Sequence, residues 1–141
     1  MEKATIVYGS VTGFTEEVAY ALADEIEGKY DVSIIDAIEF EENDLKDADI
    51  ILLGSSTWGV GQVQMDMLPV NEVIKRMDLK GRKAAVFGTG DSSYKKYAQA
   101  VITLEKTLKS SGAEIIQKGY RCDKLWNDEA KAKLKEWASK L

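Results

Sequence analysis

The sequence predicts an α/β protein built on a doubly wound, five-stranded parallel sheet in the order 2-1-3-4-5. Three observations carry this. Short apolar runs alternate with amphipathic stretches along the whole chain, the pattern of a parallel sheet covered on both faces. The first, third and fourth runs are the most apolar and belong in the centre, whereas the second and fifth carry Ser33, Glu114 and Gln117 and suit edges. The chain has 141 residues, which suits one domain spanning residues 1–141. Area scaling puts about 68% of the unfolded surface of such a chain in the interior, enough for a core without staples.

The elements follow in order. Thr5-Ile6-Val7-Tyr8 is the first strand, and a turn-rich loop follows it. Val18, Ala19, Leu22, Ala23 and Ile26 then recur at helical spacing, with Gly28 near the stop. Val32-Ser33-Ile34-Ile35 is the second strand. The acidic stretch from Glu39 to Asp49 reads as a loop with a short helix. Ile50 to Leu53 is the third strand and Ala84-Ala85-Val86-Phe87 the fourth. Between them Pro69 marks a helix start, and Val70, Val73, Ile74 and Met77 form its apolar side before Gly81. Tyr97, Val101, Leu104 and Leu108 make the next helical stripe, ending near Gly112. Glu114-Ile115-Ile116-Gln117 is the fifth strand. Ala130, Leu134, Trp137, Ala138 and Leu141 mark the last helix, capped by Asn127 or Asp128.

Composition excludes much chemistry. The chain has no histidine and one cysteine. That removes Ser-His-Asp and Cys-His catalysis, His-dependent zinc, His-ligated haem, internal disulfides and Cys-ligated iron–sulfur clusters. Nineteen Lys and Arg against 24 Asp and Glu give a net charge of -5. An acidic chain with scattered cations does not suit nucleic acid, whose phosphates need a basic stripe; it suits basic partner surfaces. No apolar run approaches a membrane span, and the N-terminus leads into a strand without the pattern of a signal peptide. A reducing, cytoplasmic setting fits the cysteine usage.

In a 2-1-3-4-5 sheet, ligands sit at the carboxyl ends of the strands where the order reverses, so three loops hold the candidate site. The first, Gly9-Ser10-Val11-Thr12-Gly13-Phe14-Thr15, enters a helix N-terminus whose free N–H groups attract anions. It contains no Lys or Arg, unlike a Walker A loop, so it suits a single phosphomonoester held by neutral donors. Capping of the helix by Thr12 and Thr15 explains the same residues. The second, Gly54-Ser55-Ser56-Thr57-Trp58-Gly59-Val60-Gly61, sets a Trp between glycines, as a plug or as a platform for a planar ligand. Gln64 occupies the third glycine position of a G-x-G-x-x-G pattern, so this is no dinucleotide fingerprint. The third, Gly88-Thr89-Gly90-Asp91-Ser92-Ser93-Tyr94-Lys95-Lys96-Tyr97, offers amides, an acceptor and a second flat face. A planar heterocycle on a phosphate tail satisfies all three.

Ser10-Val11-Thr12-Gly13-Phe14-Thr15 resembles the phosphate loop of flavodoxins, Ser/Thr-x-Thr-Gly-x-Thr. Gly54-Ser55-Ser56-Thr57-Trp58-Gly59 and Gly88-Thr89-Gly90-Asp91-Ser92-Ser93-Tyr94 resemble the two flavin-flanking loops of that family, and the likeness continues through Gly112-Ala113-Glu114-Ile115. It implies a short-chain, flavodoxin-like fold, a fold for which FMN at the switch point is a standard example. It also implies non-covalent FMN and low-potential one-electron transfer over the semiquinone/hydroquinone couple. By this resemblance Ser10, Thr12, Thr15 and Ser56 donate hydroxyl bonds to the phosphate, and amides of Val11, Gly13 and Phe14 complete the cradle. Thr57 approaches the ribityl chain. Trp58 and Tyr94 flank the isoalloxazine, Asp91 accepts from its N3–H, and amides around Gly90 and Ala98 meet the pyrimidine edge. Thr89 and Tyr97 complete the implied set. The resemblance also implies that Gly59 allows a peptide flip toward N5. Val60 follows, and its β-branch disfavours positive φ, so weak semiquinone stabilisation is expected. Lys95 and Lys96 depart from the family's usual acidic or aromatic residues and read as solvated lysines at a helix start.

Two rivals with this architecture fail on residues. A receiver domain needs carboxylates where the chain has Tyr8-Gly9-Ser10 and Leu53-Gly54-Ser55, and a low-molecular-weight tyrosine phosphatase needs an early Cys-x5-Arg loop, whereas Cys122 is late. The alternative that remains is a small FMN-dependent NAD(P)H or quinone reductase. The expectation is a monomeric carrier without a substrate of its own, docking transiently on redox partners through their basic surfaces, with no nucleic acid and no membrane.

Overall fold

The computed structural model describes residues 1–10, 13–58, 62–63, 65–90, 99–123 and 126–141. Its strands are β1 (Glu2–Gly9), β2 (Tyr30–Asp36), β3 (Ile50–Trp58), β4 (Gln62–Val63), β5 (Lys83–Gly90), β6 (Glu114–Ile115) and β7 (Tyr120–Asp123). Its helices are α1 (Phe14–Ile26), α2 (Met67–Arg76), α3 (Gln99–Ser110) and α4 (Asp128–Ala138). The path β2-β1-β3-β5-β6 is parallel throughout, which is the 2-1-3-4-5 order read from strand polarity.

Side-chain alternation sends the two faces of each central strand into separate cores. Ala4, Ile6, Ile50, Leu52, Ala85 and Phe87 pack with Val18, Leu22 and Ile26 of α1 and Leu134 and Trp137 of α4. Val7, Ile51, Leu53, Ala84 and Val86 pack with Val70 and Ile74 of α2 and Val101, Leu104 and Leu108 of α3. Each fully buried Leu, Ile or Val contributes about 1.5–3 kcal/mol. Asn127 caps α4 by accepting from the Ala130 N–H at 2.9 Å. Trp137 Nε1 donates to the Lys118 carbonyl at 2.6 Å, and the Tyr120 hydroxyl donates to the Ala130 carbonyl at 2.9 Å, so α4 is held against the β7 edge.

The structure corrects the predicted boundaries in two places. First, β3 and β5 run on through Trp58 and Gly90, so Gly54 to Trp58 and Gly88 to Gly90 are strand and not loop. Glycine and serine read as loop formers, but pairing on both sides of a central strand outweighs that preference. β4 then pairs antiparallel with the end of β3. Second, the fifth position is shared: β6 pairs with the start of β5 and β7 with its end. Tyr120 and Cys122 point into the core, but a four-residue strand with Arg121 in it gives little apolar signal. The short helix expected in the acidic stretch is the 3₁₀ helix Glu42–Leu45, and another, Ala37–Glu39, leads into it. The Arg82 guanidinium holds Glu42–Leu45 by donating to the carbonyls of Leu45, Lys46 and Ala48, each at 2.8 Å.

Candidate functional site

The register aligns small and hydroxylic residues at the carboxyl ends of the central strands. Tyr8, Gly54, Phe87 and Tyr120 form one row across β1, β3, β5 and β7. Gly9, Ser55, Gly88 and Arg121 form the next, followed by Ser56, Thr89 and Cys122. Beyond the first row, the central strands carry only small residues as far as Gly9 on β1, Thr57 on β3 and Gly90 on β5. Gly54 makes the first row possible, because a Cβ there would lie 2.1 Å from the Phe87 ring. Alternation puts Ser56 and Thr89 on the face covered by α1.

α1 meets this row with its N-terminus. Its N-cap is Gly13, at φ 87°, and no side chain among the described residues caps it. A left-handed φ is one that glycine adopts without strain. Three of the hydroxyls have partners within the protein and one has none. Ser10 Oγ accepts from the Gly13 N–H at 3.0 Å, which leaves its own hydrogen to donate. Thr15 Oγ1 and Thr89 Oγ1 are 2.8 Å apart and share one hydrogen bond, with both residues buried at 1% and 2% exposure. Ser56 Oγ is buried and has no hydrogen-bond partner. An orphaned buried hydroxyl costs about 1–3 kcal/mol, so the site holds donors in want of an acceptor. The N-terminus of α1 adds free N–H groups and the positive end of its dipole. Residues 4–28 contain no Lys or Arg, so what fits is one anionic group held by neutral donors. Phe14 fixes the start of α1 by packing edge-on against Trp126, with ring centroids 6.3 Å apart; Trp126 in turn lies under Lys131.

Charge is segregated rather than scattered. Residues 1–72 carry 16 acidic and 3 basic side chains, and residues 73–141 carry 8 acidic and 16 basic. Strand order places β2, β1 and β3 on one side of the sheet and β5, β6 and β7 on the other, so the site lies where an acidic half meets a basic half. Tyr8, at the carboxyl end of β1, registers the acidic side: burial, then the charges of Glu16 and Asp36, push its phenol up to about 12. Burial also raises Tyr30. The unfolded chain therefore releases the Tyr8 proton first, and the native state loses about 2–3 kcal/mol between pH 10 and 12 from this group. Tyr8→Phe should raise the alkaline unfolding midpoint in a pH titration followed by circular dichroism; an unchanged midpoint would show that Tyr8 does not set it.

Of the residues singled out from sequence, Ser10, Gly13, Phe14, Thr15, Ser56, Thr89 and Gly90 come together at the carboxyl ends of β1, β3 and β5. Thr57 and Trp58 end β3, paired with Val63 and Gln62. Val11, Thr12, Gly59, Val60, Asp91, Tyr94, Tyr97 and Ala98 lie outside the described residues, as do Lys95 and Lys96. Sequence reasoning missed the bond between Thr15 and Thr89, which are 74 positions apart, and the dependence of the row on Gly54 and Phe87. The first follows from the docking of α1 against β5 and the second from the register between β3 and β5, and both require the fold. Among the described residues, no helix is long and apolar enough to cross a membrane.

A family model described as flavodoxin matches residues 6–137. A flavodoxin of Maridesulfovibrio salexigens is 36% identical over 99% of this chain and 96% of its own length. Probable flavodoxin 1 of Bacillus subtilis is 34% identical over 83% of this chain and 75% of its own. The crystal structure of oxidised flavodoxin 1 from Bacillus cereus superposes with a TM-score of 0.93 at 33% identity, covering 99% of this chain and 96% of that one. The cofactor of this family is FMN, and the site fits it: the uncapped α1 N-terminus and the unpartnered Ser56 hydroxyl suit a phosphomonoester without a cation. The chain belongs to the flavodoxins, FMN-binding electron carriers.

Proposed function

We propose that this chain, as one domain spanning residues 1–141, carries single electrons at low potential between redox partner proteins, over the lower of the two one-electron couples of its FMN. The observation that supports this most is the buried Ser56 hydroxyl without a partner, beside a helix N-terminus that no side chain among the described residues caps. In this reading Ser10, Thr12, Thr15 and Ser56 hold the phosphate with the amides of Val11, Gly13 and Phe14. The Gly13 amide, now given to Ser10 Oγ, would exchange that partner. Thr57 serves the ribityl chain, Trp58 and Tyr94 the ring, and Asp91, Gly90 and Ala98 its polar edge, with Tyr97, Gly59 and Val60 completing the lining and Thr89 behind Thr15 at the phosphate end. Bound FMN supplies the electron-carrying chemistry. The chain binds it, orients it and sets its potential by disfavouring added negative charge.

Partners follow from the charge division. A partner with a basic patch docks on the side of β2 and α1, and an acidic patch on the same partner would meet the side of α3 and α4 and fix its orientation. The chain works as a cytoplasmic monomer and performs no reaction on a substrate of its own. The test against an FMN-dependent reductase is an anaerobic assay of the FMN-loaded protein with NADH or NADPH alone, then with a ferredoxin-type reductase added. The expected result is no oxidation above that of free FMN until the reductase is present. Rapid unaided oxidation of either nucleotide would overturn the carrier reading.

A further inference from the structure

We infer that Thr89 is a positioning residue that aims the Thr15 hydroxyl at the phosphate and so makes the site discriminate FMN from the unphosphorylated flavin. The inference rests on the phosphate cradle proposed above. Thr15 Oγ1 and Thr89 Oγ1 are 2.8 Å apart, and either atom can donate. Two hydroxyls carry two hydrogens, and only one of them lies in the bond between them. The other needs an acceptor, because both residues are buried, Thr15 at 1% and Thr89 at 2% exposure.

The surroundings decide which hydrogen is left over. Thr89 lies within the sheet, between Ser56 on β3 and Cys122 on β7. Ser56 Oγ has no hydrogen-bond partner, so that neighbouring hydroxyl does not take the Thr89 hydrogen. Thr15 stands in the first turn of α1, whose uncapped N–H groups and dipole favour an anion. The arrangement that satisfies both hydrogens has Thr89 donating to Thr15 and Thr15 donating to the phosphate. Each bond in such a chain polarises the next, and the last is strengthened by the charge on its acceptor. Thr89 thus acts through Thr15, on the phosphate end of the ligand and not on the ring.

The test titrates apoprotein with FMN and with riboflavin, which lacks the phosphate, by flavin fluorescence quenching. Thr89→Val keeps the shape and β-branch and removes the hydroxyl. It should weaken FMN about tenfold and leave riboflavin within about twofold. Thr89→Ser should restore FMN binding, and Thr89→Ala, which packs differently, should show the same FMN-to-riboflavin ratio as Thr89→Val. Equal losses for both flavins would mean a merely structural role and overturn the inference, as would parental FMN affinity in Thr89→Val. Thr15→Val separates this from the underlying cradle. If it also leaves the ratio unchanged, the cradle is wrong; if it lowers the ratio while Thr89→Val does not, only the positioning role fails.

Discussion

Gly54→Ala should destabilise the fold by about 3 kcal/mol, the upper part of the range for overpacking a well-packed core, and lower Tm by about 10 °C. A Cβ at this position would lie 2.1 Å from Phe87 Cζ and 2.2 Å from its Cε2. Gly54 and Phe87 are direct partners in the pairing of β3 with β5, and Phe87 is fully buried. The ring cannot swing to solvent, so either the ring or two central strands must shift. Any shift reaches Ser55 and Ser56 next along β3, so FMN binding should weaken with stability. The check is a double-mutant cycle with Phe87→Leu, followed by thermal denaturation of the apoprotein. The pair should be less destabilised than the sum of the single changes by at least about 1 kcal/mol. Additive losses, or a Gly54→Ala protein within about 0.5 kcal/mol of the parent, would remove the ring from the place the structure gives it.

Ser56→Ala should have effects of opposite sign on the apoprotein and on its complex. The Ser56 hydroxyl is buried without a partner, so deleting it should leave apoprotein stability unchanged or raise it by up to about 1 kcal/mol. In the proposed cradle that hydroxyl would donate to a charged phosphate, a bond worth about 1.5–3 kcal/mol. FMN affinity should therefore fall by about 10- to 100-fold. Titration of the variant with FMN and urea denaturation of its apoprotein measure the two effects separately. Unchanged FMN affinity would take Ser56 out of the cradle, and a destabilised apoprotein would mean that its hydroxyl has a structural partner.

Much of this was legible in sequence, for physical reasons. Strand order followed from polarity, because a central strand is buried on both faces and an edge strand is not: Ile50 to Leu53 are fully buried, while β2 alternates buried Tyr30 with exposed Asp31 and Ser33. The α1 stripe and the Asn127 cap were equally local. The ends of β3 and β5 were not, since Gly, Ser and Thr are strand there only through their neighbours. β7 was invisible for a related reason, being a short stretch held by its pairing with β5. At the site, Thr15 fitted capping as well as phosphate binding until the structure showed it bonded to Thr89, with Gly13 as the N-cap of α1; Thr12, which fitted both, lies outside the described residues. Charge summed over the whole chain gave -5 and hid an acidic half and a basic half. Only the strand order shows that the two halves lie on opposite sides of the site.

In the proposed carrier, the excess of acidic over basic side chains would disfavour the added electron. At an effective dielectric near 20, one negative charge about 10 Å away disfavours an added electron by about 1.7 kcal/mol, which is about 70 mV for one electron. A spectroelectrochemical titration of the FMN-loaded protein, at low and at high salt, reads this quantity. The expected lower one-electron potential lies about 100–200 mV below that of free FMN, the sum of a few such charges, and rises as salt screens the exposed ones. A lower potential equal to that of free FMN at both salt concentrations would contradict the low-potential carrier.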